Sequence, residues 1–196
     1  MPKIVDHEAR RAEISAALWR IVTREGIGEV SIRAVAKEAG YPKATAMHYF
    51  ANEAELLMYA MDESIARSRS LVAQFLESSP DLAGFVKAIL HAIPTSQAER
   101  NRTSIWLEIV SKSQSDPTLR EYLLKANAHL DRDLETLLRN MQTRGLVTKR
   151  RNLKLEARTL HALIDGLSLH TMTSHSVTTP SMIKKIVSAQ VQELSR

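Results

Sequence analysis

The stretch SIRAVAKEAGYPKATAMHYF, residues 31–50, decides how the rest of the chain is read. Ser31 can cap a short helix whose apolar positions Ile32, Val35, Ala36 and Ala39 form one stripe, and Gly40 can end it. Pro42 then suits the first turn of a further short helix, where its missing N–H would be unbonded in any case. Two short helices joined by a glycine-containing turn form a helix-turn-helix, and the second helix of such a pair can lie in the major groove of DNA. Spacing alone leaves this open, because tight helical corners also occur in proteins that never meet DNA.

Working outward, Ile14, Ala17, Leu18, Ile21 and Val22 recur at helical spacing over residues 8–25, and Gly-Ile-Gly at 26–28 supplies a stop. Asn52 and Glu55 read as a capping pair that opens a helix to about residue 77, with Leu56, Leu57, Ala60, Met61, Ile65, Leu71, Val72 and Phe75 inward. Further helices are expected over 82–93, ended by Pro94, and around Ile105, Trp106, Ile109 and Val110. Another runs from Asp116-Pro117 to about Arg144, closed by Gly145. The segment 153–172 is apolar on more than one face and therefore needs two partners, and Thr179-Pro180 opens a last helix with a single apolar stripe. No strand pair, fixed-period repeat or low-complexity linker is visible. The expected fold is all-α, three short helices followed by about six longer ones: an N-terminal three-helix helix-turn-helix domain over 1–51 and a helical bundle over 52–196.

Composition agrees. Of 196 residues, 44% are hydrophobic and 25% charged, with six glycines and six prolines, which favours a folded chain of long helices. The absence of cysteine excludes disulfides and thiolate metal sites and suits a cytoplasmic protein. The polar start MPKIVDHEARRAE lacks the apolar core of a secretion signal, and no apolar run reaches the roughly 18 residues of a membrane span. The net charge of +5 is concentrated: residues 145–196 hold 8 basic and 3 acidic groups, residues 1–52 hold 8 and 6, and the middle is slightly acidic. An anionic partner is compatible with this, though not required by it.

Catalytic and metal signatures are missing. The seven histidines form no H-E-x-x-H pair, and His161 and His170, nine residues apart, fall on opposite faces of one helix, with His175 beyond its end. They read as satisfied or interfacial. No glycine-rich phosphate loop or nucleophile elbow occurs. Neither an enzyme nor a bound cofactor or metal is expected.

The longer stretch ALWRIVTREGIGEVSIRAVAKEAGYPKATAMHYFANEAELL, residues 17–57, resembles the N-terminal domain of the TetR family of transcriptional repressors. The match runs through Gly26, Ser31, Ile32, Val35, Ala36, Ala39, Gly40, Thr45, His48, Tyr49, Phe50, Glu55 and Leu56. Residues 160–187, LHALIDGLSLHTMTSHSVTTPSMIKKIV, are similar to the C-terminal end of the BetI-like subgroup.

What the resemblance implies is a regulator that binds double-stranded operator DNA, as a homodimeric repressor released by a small-molecule effector. The positions matching Lys43, Thr45, His48 and Tyr49 would face DNA, Lys43 and Thr45 towards phosphates or base edges and the other two towards phosphates. Arg33 would reach a base or stay a solvated charge; the alternative for Tyr49 is a core aromatic with its hydroxyl at the surface. Ser31 caps its helix and could also meet a phosphate. Lys3, Arg10 and Arg11 form either a basic arm along the DNA or a solvated tail. Three positions depart from the family pattern: Pro42 replaces a capping serine, Met47 a tyrosine, and Glu53 a phosphate-binding lysine. Met47 offers a base only apolar contact, for instance to a thymine methyl.

The effector would lie among the central helices, with Met61, Phe85, Trp106, Tyr122, His129 and Met141 as candidate lining. The last two helices would form the dimer interface through Leu160, Leu163, Gly166, Leu167, Ile183, Ile186, Val187 and Val191, setting two recognition helices roughly 34 Å apart. The basic run at 148–154 reads as a solvated loop. The rival readings are a non-specific or architectural DNA binder that uses the same helix-turn-helix, and a helical enzyme or scaffold that keeps the N-terminal helices for another purpose.

Overall fold

The computed structural model describes residues 7–79, 81–174 and 176–196, among which there are nine α-helices and no strand. Lys3, Pro80 and His175 lie outside the described residues. The helices are α1 (His7–Arg24), α2 (Ile32–Glu38), α3 (Lys43–Tyr49), α4 (Glu53–Ser78), α5 (Leu82–Ala92), α6 (Gln97–Lys112), α7 (Pro117–Thr143), α8 (Leu153–Thr173) and α9 (Pro180–Glu193), with a single 3₁₀ turn at Ile27–Glu29.

Capping residues set most of the starts. The side chains of Ser31, Asp81, Asn152 and Thr179 accept the backbone N–H of Ala34, Gly84, Leu155 and Met182 at the heads of α2, α5, α8 and α9. Asn52 takes the N–H of Glu55 at 2.9 Å, and Glu55 reaches back to the N–H of Ala51 at 2.8 Å, the reciprocal pair that opens α4. Gly40 turns the chain out of α2 at φ 75°, a conformation that side-chain-bearing residues resist.

The chain divides into two compact units. The first combines residues up to Ile65 with Asn101–Leu123, and the second combines Ala66–Arg100 with Leu124–Arg196. Packing therefore does not divide at the expected 51/52 step. The physical reason is the first half of α4, whose Leu56, Leu57, Ala60 and Met61 are buried in one core with Ile14, Leu18 and Ile21 of α1, Val35 of α2, Phe50 and Ile105 and Ile109 of α6. Within this unit Asn101 of α6 donates to Thr23 of α1 at 2.9 Å.

The core of the second unit is built from Phe85 and Ile89 of α5, Leu134, Leu138 and Met141 of α7, Ala157, Leu160, Ile164 and Leu167 of α8, and Ile183, Val187 and Val191 of α9. Gly84 is tightly constrained, because a Cβ there would fall 1.7 Å from the carbonyl oxygen of Ser79. In the basic run before α8, Lys149 and Arg150 are exposed, while Arg151 pairs with Glu156 at 3.3 Å and Glu193 at 3.1 Å. That segment is held by its own chain, as a loop.

Candidate nucleic-acid interface

α3 is only seven residues long, so its orientation depends on what grips it. Ala46 and Phe50 are fully buried and fix its inner side. Lys43, Ala44, Met47 and His48 are exposed, while Thr45 and Tyr49 are half-buried. The outward face is thus rotated from the one expected. Lys43, Met47 and His48 are open as expected, but Thr45 and Tyr49 sit at the flank because Tyr49 packs against the core, and Ala44 is exposed beside Met47.

Arg11 holds the far end of this helix. Its guanidinium donates to the carbonyl of Tyr49 at 2.8 Å, pairs with Glu55 at 3.0 Å, and stacks over the rings of Phe50 and Tyr59 at 4.3 and 4.7 Å. A cation on the last carbonyl of a helix also complements the helix dipole. Arg11 is therefore a buttress inside the unit and no free arm, and Arg10 likewise belongs to α1. Arg10 donates to the Tyr41 hydroxyl, which in turn donates to Glu13 at 2.5 Å. That hydrogen bond from Tyr41, with Arg10 beside it, pulls the Glu13 carboxyl below its usual value. The turn between α2 and α3 is thereby tied to α1.

α2 is fixed from the other side. Glu38, at its last turn, receives Arg24 and Arg20 of α1, each at 2.8 Å, and hydrogen bonds from Arg24 and then Arg20 bring its carboxyl down to about 2. Arg33 and Lys37 of α2 remain exposed. Ser31 accepts the Ala34 N–H at 3.1 Å, so its capping role is filled by the protein itself. Glu53, at the position where the family carries a lysine, is met by Lys112 of α6, which also pairs with Glu108 at 3.1 Å. A cation thus stands at the head of α4 although the local sequence lacks one.

One ring cluster escaped the sequence reading. His7, the first described residue of α1, lies 4.9 Å from the Tyr49 ring and 6.4 Å from that of His48, and His48 and Tyr49 are 5.2 Å apart. Neither His7 nor Tyr41 carries a local signal. Each reaches its partners across dozens of residues, and only the fold brings them together.

The other candidate residues are dispersed. Met61, Trp106 and Tyr122 belong to the first unit, with Tyr122 donating to Asp62 at 2.8 Å; burial, then that carboxylate, push its hydroxyl pKa up. Phe85 and Met141 are core residues of the second unit, and His129 is exposed on α7. The six are not gathered within either unit. An open cleft of about 270 Å³ in the second unit is lined instead by Phe75, Lys87, Leu90, His91, Thr95 and Glu99. Burial alone would raise the Glu99 carboxyl, but the N–H groups of Ser96 and Thr95 hold it below its usual value.

Among the residues expected at a dimer interface, Leu160, Leu167, Ile183, Val187 and Val191 are at most 6% exposed and fill the second unit's own core. They are not surface residues, because α8 and α9 bury these stripes against α5 and α7. Leu163 is half-buried; Gly166 and Ile186 face outward, with Leu155, Ala162 and Leu169 of α8 and Met182 and Ala189 of α9. A Cβ added at Gly166 would meet nothing within 4 Å. His161 is buried, with Nδ1 2.6 Å from Asp131 and Nε2 3.4 Å from Asp165, a satisfied histidine. Among the described residues no cluster of three or more His, Cys, Asp or Glu side chains is arranged to hold a metal, and no helix is long and apolar enough to cross a membrane.

A short exposed helix, set across a glycine turn and buttressed from α1 and α4, defines a helix-turn-helix DNA-binding protein. The chain belongs to the TetR family of bacterial transcriptional regulators: the description "Bacterial regulatory proteins, tetR family" matches residues 9–60, and "BetI-type transcriptional repressor, C-terminal" matches residues 82–196. It is similar to the HTH-type transcriptional regulator PksA of Bacillus subtilis (strain 168), 25% identical over 99% of this chain and 94% of that one. The regulator BetI of Proteus mirabilis (strain HI4320) is 30% identical over 95% and 92%. Among solved structures, a transcriptional regulator from Saccharomonospora viridis in complex with choline superposes with a TM-score of 0.80 at 22% identity, covering 94% and 96% of the two chains. NalD of Pseudomonas aeruginosa, the secondary repressor of the MexAB-OprM efflux pump, does so at 0.69 and 20%, over 96% of each.

Proposed function

We propose that this regulator is a cytoplasmic homodimeric repressor that sets the outward face of α3 into the major groove of a near-palindromic operator and leaves it when a small molecule binds. The observation that carries the reading is α3 itself, with Lys43, Ala44, Met47 and His48 exposed while Ala46 and Phe50 are fully buried. DNA contacts belong to residues 1–51, with Lys43, His48 and Arg33 as the main polar groups; effector binding and dimerisation belong to 52–196. Thr45, Tyr49 and Ser31 act from the flank, through hydroxyls that can still donate to phosphate.

The dimer forms through the outward faces of α8 and α9, where Leu155, Leu169, Met182 and Ile186 are each at least 36% exposed. The small residues Ala162 and Gly166 between them admit close helix approach. An effector that binds two states of the protein unequally weakens DNA binding by that difference. The choline complex of the Saccharomonospora regulator makes a small quaternary ammonium the first probe to try, and the cleft of Phe75, His91 and Glu99 the first place to look for it.

Nuclease footprinting of the DNA upstream of the regulator's own gene tests this. A discrete protected site that disappears on adding one of a panel of small molecules, choline included, is the expected result. Uniform weak protection, with equal affinity for random duplex, would favour an architectural DNA binder instead.

A further inference from the structure

The middle of the outward face of α3 is apolar. At roughly 100° per residue the four exposed positions fall in the order Lys43, Met47, Ala44, His48 around the helix, so the two charged or polar side chains flank a thioether and a methyl group. Met47 is 46% exposed, among the more open large hydrophobic side chains described, and neither it nor Ala44 carries an N–H or O–H donor.

In the major groove, base edges present amino donors, ring-nitrogen and carbonyl acceptors, and one apolar group, the C5 methyl of thymine. A base carbonyl or ring nitrogen pressed against Met47 and Ala44 would lose water and gain no hydrogen bond, and an amino donor would find at most the weak thioether acceptor, both unfavourable exchanges. A C5 methyl there buries apolar surface on both sides. We infer that Met47, with Ala44 beside it, reads the C5 methyl of a thymine near the centre of each half-site. Arg33, Lys37 and Lys43 meanwhile supply sequence-blind attraction to phosphates. The inference rests on the assignment of α3 as the DNA-reading helix and adds which base chemistry it selects.

The test takes the full-length protein through selection from a random-sequence duplex library, then replaces each thymine of the enriched duplex in turn by deoxyuridine, which removes only the C5 methyl. Affinity is read by fluorescence anisotropy. One thymine per half-site is expected to matter, with a loss of about fourfold per methyl and roughly fifteenfold for the symmetric pair. Met47→Ala is expected to reduce that sensitivity to below about twofold while Met47→Leu preserves it; both variants alter an exposed side chain, and circular dichroism melting verifies their folding. An enriched duplex whose affinity is indifferent to every replacement, or a loss that persists in Met47→Ala, would overturn the inference and leave the DNA-reading role standing. Enrichment of no sequence at all would overturn both.

Discussion

Arg11, ten residues before Ile21 in the first helix, donates to the carbonyl of Tyr49, the last residue of the recognition helix, at 2.8 Å. The same guanidinium pairs with Glu55 and lies over Phe50 and Tyr59, so one side chain joins α1, α3 and α4. Replacing it by alanine leaves that carbonyl and Glu55 without their cation. Arg11→Ala is expected to lower unfolding free energy by about 2 kcal/mol in urea titrations. Arg11→Lys is expected to recover less than half, because an ammonium cannot fork and stack at once. A change within about 0.5 kcal/mol for Arg11→Ala would remove the buttress from the account.

Glu38 carries a pH signature. The hydrogen bonds from Arg24 and then Arg20 bring its carboxyl down from the ordinary 4.5 to about 2. A depressed acid stabilises the fold fully above its unfolded value, and that contribution disappears as pH falls through the folded one. Glu38→Gln is therefore expected to lower the melting temperature at pH 7, and the gap between variant and parent is expected to narrow between pH 4.5 and about 2. Because these groups face solvent, salt is expected to shrink the gap as well. A gap independent of pH would contradict the assignment of the shift to the ion pairs.

Much of this was legible beforehand. Ser31, Asn52 and Thr179 each announce a helix start through a side chain that can accept a nearby backbone N–H, and each does so in the structure. Facing was harder. α3 makes about two turns, too few for periodicity to fix its rotation, and Ala44 looks like a core residue by type. In α8 both faces are apolar, so pattern alone could not say which side turns towards α5 and α7. The Tyr41–Glu13 bond spans 28 residues, and no local spacing encodes it.

The two faces of α8 now separate by experiment. Leu160 is fully buried, so Leu160→Ala is expected to cost roughly 2–5 kcal/mol of stability. Leu169 is 48% exposed on the opposite side, and Leu169→Glu is expected to leave the melting temperature of a dilute sample nearly unchanged while converting a dimer to monomer in sedimentation velocity. A Leu169→Glu chain that sediments as the parent does would move the interface elsewhere.

The central claim is that α3 reads a specific DNA sequence. Its most direct test is the affinity of the full-length chain for its footprinted duplex against a random duplex of equal length at physiological salt, measured by fluorescence anisotropy with the parent and with Lys43→Ala. The expected result is a preference of roughly 10³ or more for the footprinted duplex, with Lys43→Ala weakening binding and reducing the salt dependence by about one phosphate contact. Equal affinity for both duplexes, unchanged by Lys43→Ala, would contradict it.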